Sequence, residues 1–191
     1  MTDRTRPIMP DPMTDNADLA ALVRTIPDYP KPGIRFRDIS TLLLDGEGFR
    51  ATIDRLAGTV EGERFDLIAG LEARGFIIAS ALSYVLRLGK VMLRKQGKLP
   101  GKRVGVDYML EYGTDRIEMH EDAVAPGQRV LLVDDLIATG GTALAAIELL
   151  RGRGAVVDVA LFVIDLPDLG GSQRLREAGV EPRHLIAFAG D

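Results

Sequence analysis

Residues 130–142 read as a strand, a tight loop and a helix in immediate succession. Val130 to Val133 is an uninterrupted apolar run, which is typical of a strand buried on both faces of a parallel sheet. Two acids and a group of small residues follow, and apolar residues at helical spacing begin after Thr142. Such a unit is half of a βαβ motif, so this segment predicts an α/β fold.

The small residues of this segment offer a site for phosphate. Gly140 and Gly141 permit a backbone curl in which successive N–H groups point into one concavity, while Thr139 and Thr142 add hydroxyl groups. The helix that follows contributes the positive end of its dipole. We therefore predict that Ala138 to Thr142, which we call the phosphate loop, binds a phosphomonoester.

The two acids before the phosphate loop, Asp134 and Asp135, need a separate explanation because carboxylates repel phosphate. They accept hydrogen bonds from vicinal hydroxyls and attract hydrated Mg²⁺, so a ribose 5-phosphate would satisfy both halves of the segment. The pattern alone fits equally well an ordinary strand end in which aspartates cap a turn. Neither the Walker loop nor the dinucleotide fingerprint is present in this segment, which excludes those two classes of nucleotide site here.

The string V-D-D-L-I-A-T-G-G-T resembles the ribose-phosphate signature of the type I phosphoribosyltransferases, which use 5-phosphoribosyl-1-pyrophosphate (PRPP). Its particular form is similar to that of the members acting on adenine. The resemblance implies that the phosphate loop holds the 5-phosphate, that Asp134 and Asp135 hold the ribose hydroxyls, and that Leu136 contacts adenine. The implied fold is α/β, a twisted and mostly parallel sheet flanked by helices, with a small N-terminal hood and a flexible β-hairpin lid.

The N-terminal part divides into an arm and a hood. Residues 1–15 contain prolines and mixed charges without periodicity, which predicts a mobile arm, and residues 16–191 are predicted to form one domain. The hood is expected at about residues 16–40. Apolar residues at helical spacing predict that it opens with one helix, which begins at Asp15 or Asn16, ends at Pro27 and carries Leu19, Leu22, Val23 and Ile26.

The rest of the hood, Tyr29 to Ile39, contains prolines and a glycine that favour an extended, turning backbone. As a pattern this segment is a connector. By resemblance it is the adenine side of the site, where Phe36 stacks on the purine and backbone groups at Arg35 and Arg37 pair with its edge. Arg35 stands where the family more often has an aliphatic residue, and a backbone contact would tolerate that change.

A second strand-loop-helix unit begins with a strand at Phe65 to Ala69 and continues through Gly70 to Gly75, which we call the pyrophosphate loop. An isolated arginine such as Arg74 is often solvated or paired with an acid. The string E-A-R-G-F, however, resembles the loop of the same family in which the arginine and backbone N–H groups face the leaving diphosphate.

A basic segment, Lys95 to Arg103, packs four cations and two glycines into nine residues and predicts a flexible flap. A solvated hairpin fits this composition too, whereas a nucleic-acid patch lacks the interleaved aromatic residues expected of one. R-K-x-G-K-L-P resembles the start of the catalytic loop of the family. That resemblance implies a lid at about residues 95–115 in which Lys95 and Lys98 neutralise pyrophosphate oxygens.

The lid continues through L-E-Y-G at residues 110–113. In isolation Glu111 reads as a surface acid. The resemblance places this glutamate over the purine as the catalytic residue that handles the proton on N7, and it adds Tyr112 to the pyrophosphate-binding residues.

The composition narrows the class of protein. With 46% hydrophobic and 27% charged residues the chain is globular, and its net charge of −4 argues against nucleic acid as the main partner. There is no cysteine and there are two histidines, which excludes a thiolate metal site and fits a reducing cytoplasm. No apolar run approaches the length of a membrane span, so no membrane association is expected.

The resemblance implies an enzyme of purine salvage that transfers the phosphoribosyl group of PRPP to adenine and yields AMP and pyrophosphate. It further implies Mg²⁺ held through PRPP, without direct protein ligands, and a homodimer. The residues leave two alternatives open. One is transfer to another purine, namely hypoxanthine, guanine or xanthine. The other is a non-enzymatic regulator that senses PRPP. Such a regulator needs a DNA-binding module, and the first fifteen residues are too short and not basic enough to form one.

Overall fold

The computed structural model describes residues 16–109 and 113–190. The N-terminal elements are α1 (Ala17–Ala21), β1 (Arg24–Pro27), β2 (Arg35–Asp38), α2 (Ser40–Leu44) and α3 (Gly46–Gly58). The middle of the chain forms β3 (Leu67–Leu71), α4 (Gly75–Leu86), β4 (Gly89–Lys95), β5 (Arg103–Met109) and β6 (Thr114–His120). The remaining elements are β7 (Val130–Ile137), α5 (Gly141–Arg151), β8 (Val159–Asp165), α6 (Gly171–Glu177) and β9 (Glu181–Ala187).

Seven of these strands form one sheet in the order β5-β6-β4-β3-β7-β8-β9. The five strands from β4 to β9 in that order pair in parallel, while β6 is antiparallel to both β4 and β5. The predicted mostly parallel sheet is therefore confirmed. Because β3 and β7 are hydrogen-bonded neighbours, the loops that follow them lie at the same edge of the sheet, where ligands bind in folds of this kind.

The core lies on both faces of the sheet, and β7 runs between its two halves. Val130 and Leu132 pack with α5 on one face, while Leu131 and Val133 pack with α3 and α4 on the other, and all four are fully buried. Burying each such side chain contributes about 1.5–3 kcal/mol, which explains why this strand does not alternate with polar residues. No helix in residues 16–109 and 113–190 has the length and apolar character needed to cross a bilayer.

The predicted single helix of the hood is wrong in its second half. Helix α1 ends at Ala21, and Arg24–Pro27 is a strand that pairs antiparallel with β2, so that Ile26 faces Phe36 in register. Arg24 and Asp38, which face each other at the start of β1 and the end of β2, form an ion pair of 2.5 Å. The two-stranded hood therefore depends on contacts between residues eight to fourteen positions apart, which override the local helical spacing.

The region of the expected lid contains a β-hairpin, but the hairpin begins and ends further along the chain than residues 95–115. Its strands are β5 and β6, which pair from Arg103↔His120 to Met109↔Thr114. The basic segment before β5 is a connection from β4 and not the tip of the hairpin. Since β6 also pairs with β4, the hairpin extends the main sheet.

Candidate active site

The phosphate loop follows β7, which is longer than predicted. Pairing with β8 continues to Ile137↔Asp165, so Asp134 and Asp135 are the fifth and sixth residues of the strand and do not sit in a turn. Gly140 has φ +80°, a left-handed conformation that glycine adopts without strain, and α5 begins at the next residue. The walls of a cavity of about 120 Å³ are formed by Asp134, Leu136, Ile137, Ala138, Thr139, Gly140, Gly141, Thr142 and Ala143.

The two acids occupy different environments. Burial, followed by the charge of Asp135, raises the pKa of the Asp134 carboxyl well above its usual range. Asp134 accepts a hydrogen bond of 2.8 Å from the Asp135 amide. Asp135 is 5% exposed, and its carboxylate pairs with the Arg74 guanidinium at 2.5 Å. Burial therefore favours the protonated form at Asp134, whereas Asp135 is held in place by its ion pair with Arg74.

Arg74 connects the three predicted parts of the site. It lies directly before α4 in the pyrophosphate loop, and its side chain is 42% exposed. Besides the bond to Asp135, its guanidinium carbon lies 5.3 Å from the centroid of the Phe36 ring in the hood. One side chain thus contacts the predicted ribose-binding acid and the predicted adenine-stacking ring.

Glu72 fastens the pyrophosphate loop to β4. Its carboxylate binds Arg94 at 2.9 Å and accepts the Lys95 amide at 3.0 Å. The hydrogen bond from Arg94 is the largest influence that lowers the pKa of Glu72, and the charge of Lys98 adds to it. The peptide bond between Glu72 and Ala73 is cis. The backbone of Lys95 and the charge of Lys98 therefore both act on Glu72 of the pyrophosphate loop.

The base of the lid touches the phosphate loop. The Tyr108 hydroxyl donates to Asp115 at 3.2 Å and also hydrogen-bonds with the Thr142 side chain. Burial is the main cause that raises the pKa of Tyr108. Lys95 lies 3.4 Å from the same Asp115 carboxylate. A Cβ atom at Gly141 would be 3.6 Å from the carbonyl oxygen of Met109, the last residue of β5.

The hood orients Phe36 between two neighbours. The Phe36 ring meets Tyr29 edge to face, with 5.2 Å between the ring centroids, and also contacts the Arg74 guanidinium. Arg37 is buried, donates to the Thr25 hydroxyl at 2.8 Å and lies over the Phe188 ring at 4.3 Å. Arg35 is exposed on the same strand. The side chain of Arg37 thus holds the hood in place.

Some predicted residues fall outside this description. Glu111, Tyr112 and the N-terminal arm lie outside the described residues. Within residues 16–109 and 113–190, no group of three or more histidines or acids is arranged to hold a metal ion.

Sequence reasoning also missed several residues of the site. Glu72, Arg94 and Tyr108 join elements that are distant in the chain, and no local pattern indicates such contacts.

Comparisons with known proteins identify the family to which this fold and sequence belong. The phosphoribosyl transferase domain family matches residues 41–178. The adenine phosphoribosyltransferase of Sphingopyxis alaskensis is 59% identical over 180 residues, which cover 94% of this chain and 98% of that protein.

Solved structures agree as well. The adenine phosphoribosyltransferase of Thermoanaerobacter pseudethanolicus is 46% identical, with a TM-score of 0.86 over 90% of this chain and 99% of that one. The Saccharomyces cerevisiae enzyme, complexed with an imino-altritol bisphosphate and adenine, is 35% identical, with a TM-score of 0.82 over 88% of this chain and 97% of that one. From its sequence, fold and site together, the chain belongs to the adenine phosphoribosyltransferase family.

Proposed function

We propose that PRPP and adenine meet at Arg74 in this adenine phosphoribosyltransferase. The enzyme transfers the 5-phosphoribosyl group of PRPP to adenine and releases AMP and pyrophosphate, which is consistent with purine salvage. The observation that carries the proposed arrangement is the double contact of Arg74, at 2.5 Å with Asp135 and at 5.3 Å with the Phe36 ring. The ribose, pyrophosphate and adenine subsites are thus within reach of one side chain.

The phosphate loop binds the 5-phosphate in this proposal. Backbone N–H groups around Gly140, the hydroxyls of Thr139 and Thr142 and the start of α5 supply the donors, beginning at Ala138 and including Gly141. Each hydrogen bond to a charged group contributes about 1.5–3 kcal/mol, so a few of them hold a phosphomonoester without a lysine. Asp134 and Asp135 accept hydrogen bonds from the ribose hydroxyls.

The leaving pyrophosphate is assigned to the cationic side of the site. In this proposal Arg74 binds it from the pyrophosphate loop, Lys95 and Lys98 bind it from the end of β4 and the segment that follows, and the resemblance adds Tyr112. As the bond from C1 of the ribose to the pyrophosphate breaks, C1 gains oxocarbenium character and negative charge builds on the leaving group. Fixed cations stabilise that charge.

Adenine is assigned to the hood. Phe36 stacks on the base, backbone groups of Arg35 and Arg37 pair with its edge, and Leu136 contacts it from β7. Adenine N9 attacks C1, and Glu111 handles the proton on N7. The yeast relative, which was complexed with adenine and a bisphosphate, supports adenine as the base. Adenine has an amino donor where hypoxanthine and guanine have a carbonyl acceptor, so hydrogen bonding is the expected basis for choosing adenine.

Mg²⁺ is proposed to enter with PRPP. The oxygen donors of Asp134 and Asp135 are of the kind that Mg²⁺ prefers, but Asp135 is already paired with Arg74, so these two residues make an incomplete set of ligands. Most ligands would therefore come from PRPP itself and from water. Bound in this way, Mg²⁺ would neutralise charge on the diphosphate.

The enzyme is further proposed to be a homodimer. Helix α4 carries Ile77, Tyr84 and Val85 at helical spacing on its outer face, and Met92 of β4 lies on the same side of the sheet; Tyr84 is 87% exposed. A second copy of the chain would cover this apolar face. Light scattering that gives the monomer mass would contradict the dimer. The absence of cysteine from the sequence supports a cytoplasmic location, which we also propose.

The function is tested by incubating the protein with PRPP, Mg²⁺ and each purine base in turn. AMP from adenine is the expected product, whereas product from hypoxanthine, guanine or xanthine alone would reassign the base. Binding of PRPP without turnover of any base would favour a sensor. Replacement of Asp135 by asparagine should weaken PRPP binding, and the matched replacement of the exposed Asp54 in α3 should not.

A further inference from the structure

Helix α6 holds the phosphate loop from behind. The Gly171 amide donates to the carbonyl of Ala138 at 3.0 Å, and the Arg174 guanidinium donates to the carbonyl of Thr139 at 2.8 Å. Gly140 also lies against α6, since a Cβ atom there would be 3.1 Å from the Cα of Gly171. Two consecutive carbonyls of the phosphate loop are thus bound by one short helix.

These contacts determine where the N–H groups of the loop point. In a trans peptide the C=O and N–H groups are directed oppositely, and the cis bonds found in residues 16–109 and 113–190 lie elsewhere, at Tyr29-Pro30 and Glu72-Ala73. The N–H groups of Thr139 and Gly140 therefore point away from α6. A hydrogen bond to the carbonyl of a peptide also strengthens the N–H of that peptide as a donor, by roughly 10–30%.

Close packing makes this arrangement specific to glycine at position 171. A Cβ atom there would lie 2.3 Å from the Ala138 oxygen and 2.8 Å from the Gly140 nitrogen, so any larger residue would push the loop away. The helix is itself fixed to the sheet, because the buried Ser172 hydroxyl donates to the buried Asp165 carboxylate at 2.9 Å. Asp165 ends β8 beside Ile137 of β7.

We infer that α6, through Gly171 and Arg174, is a positioning element that orients and strengthens the phosphate-binding N–H groups of the loop. The inference rests on the proposed placement of the 5-phosphate at the phosphate loop. Arg174 acts on the carbonyl side of the loop peptides and through them on the ligand. It is therefore a positioning residue and not a catalytic one.

The test compares Arg174→Ala with Arg176→Ala as the matched control. Both arginines are exposed on α6, but Arg176 pairs only loosely with Glu181, at 3.8 Å. Calorimetric titration with ribose 5-phosphate should give an affinity roughly threefold to tenfold weaker for Arg174→Ala, as expected for one lost hydrogen bond. Titration with magnesium pyrophosphate should give the wild-type value, and Arg174→Lys should recover most of the loss.

Each outcome decides a separate point. If the wild type binds ribose 5-phosphate and Arg174→Ala binds it equally well, the positioning role is overturned and the phosphate site stands. Equal weakening toward ribose 5-phosphate and pyrophosphate would indicate a general loss of positive charge and would also overturn it. Failure of the wild type to bind ribose 5-phosphate would remove the proposed phosphate site, and this inference with it.

A second pair of variants tests the close packing independently of charge. Gly171→Ala should weaken ribose 5-phosphate binding about tenfold or more, because the added methyl group displaces two atoms of the loop. Gly58→Ala in α3 is the control, since a Cβ atom there meets nothing within 4 Å. Thermal unfolding checks that both variants fold. A folded Gly171→Ala protein with wild-type affinity would contradict the inference.

Discussion

Replacing Gly75 with alanine tests how closely the pyrophosphate loop packs against Asp134, one of the two acids proposed to bind the ribose. Gly75 is the first residue of α4, and a Cβ atom there would lie 2.5 Å from the Asp134 Oδ1, 3.0 Å from the Asp134 Cα and 3.1 Å from the Val133 oxygen. Ordinary contacts begin at 3.4 Å, so the carboxylate would have to retreat by about 0.9 Å and the backbone of β7 by a few tenths of an ångström.

The expected cost follows from this overlap. Overpacking of this kind destabilises proteins by about 1–3 kcal/mol. In a chain of this length each kcal/mol lowers the melting temperature by roughly 2–4 °C, so Gly75→Ala should melt about 2–12 °C below the wild type. Because the overlap falls on Asp134, PRPP affinity should decrease as well.

The control is again Gly58→Ala, in which the methyl group has free space. Alanine is favoured over glycine in helices by up to about 1 kcal/mol, so this variant should melt at or slightly above the wild-type temperature. Circular dichroism measures the melting and calorimetry the PRPP affinity. If Gly75→Ala melts no lower than the wild type, the packing argument is refuted, and lower melting with unchanged PRPP affinity would refute the link to Asp134.

Three further predictions concern individual acids. Hydrogen bonds from Ser40, and then the Arg24 guanidinium, lower the pKa of Asp38 to about 2. The contribution of the ionised Asp38 carboxylate to stability should therefore be complete above about pH 4 and disappear as the pH falls through 2. In urea unfolding, the difference in stability between Asp38→Asn and the wild type should accordingly vanish at acid pH. The raised pKa of Asp134 has the opposite effect on the pH dependence of stability, so the wild-type protein should become less stable as the pH rises above about 4. At pH 7, Asp134→Asn should unfold at a higher urea concentration than the wild type and yet bind PRPP more weakly. Glu111→Gln should lower turnover more than PRPP affinity, and a wild-type rate would remove Glu111 from the mechanism.

The sequence predicts those parts of the fold in which a run of consecutive apolar residues indicates that the segment is buried. Val130 to Val133 is apolar throughout because both of its faces are covered, and this identified the central strand and the loop after it. The spacing of Ile26 from Leu19, Leu22 and Val23 predicts a helix, but in the structure Ile26 belongs to a strand. Local spacing competes here with strand pairing, and only the contact with Phe36 decides between them.

Candidate site residues can be named from the sequence where a local motif carries the chemistry. The phosphate loop and Arg74 are of this kind, and the structure brings Arg74 to Asp135, sixty-one positions away. The contacts of Gly75 and Gly171 could not be predicted, because a glycine gives no sign in sequence of the distant backbone that it must approach. Such contacts appear only when the strands are in place.

Because β3 and β7 are neighbours in the sheet, the distance between the two proposed anion-binding loops is fixed by the backbone, and this distance would select substrates by length. The strands that lead into the two proposed anion-binding loops are joined by one ladder of backbone hydrogen bonds, with a spacing of about 4.8 Å between strand axes that side chains cannot stretch. A sugar bisphosphate with one carbon more or fewer between its charged ends would engage one loop and miss the other. Discrimination by length would then be a property of the backbone, and it would survive substitutions in the lid and the hood.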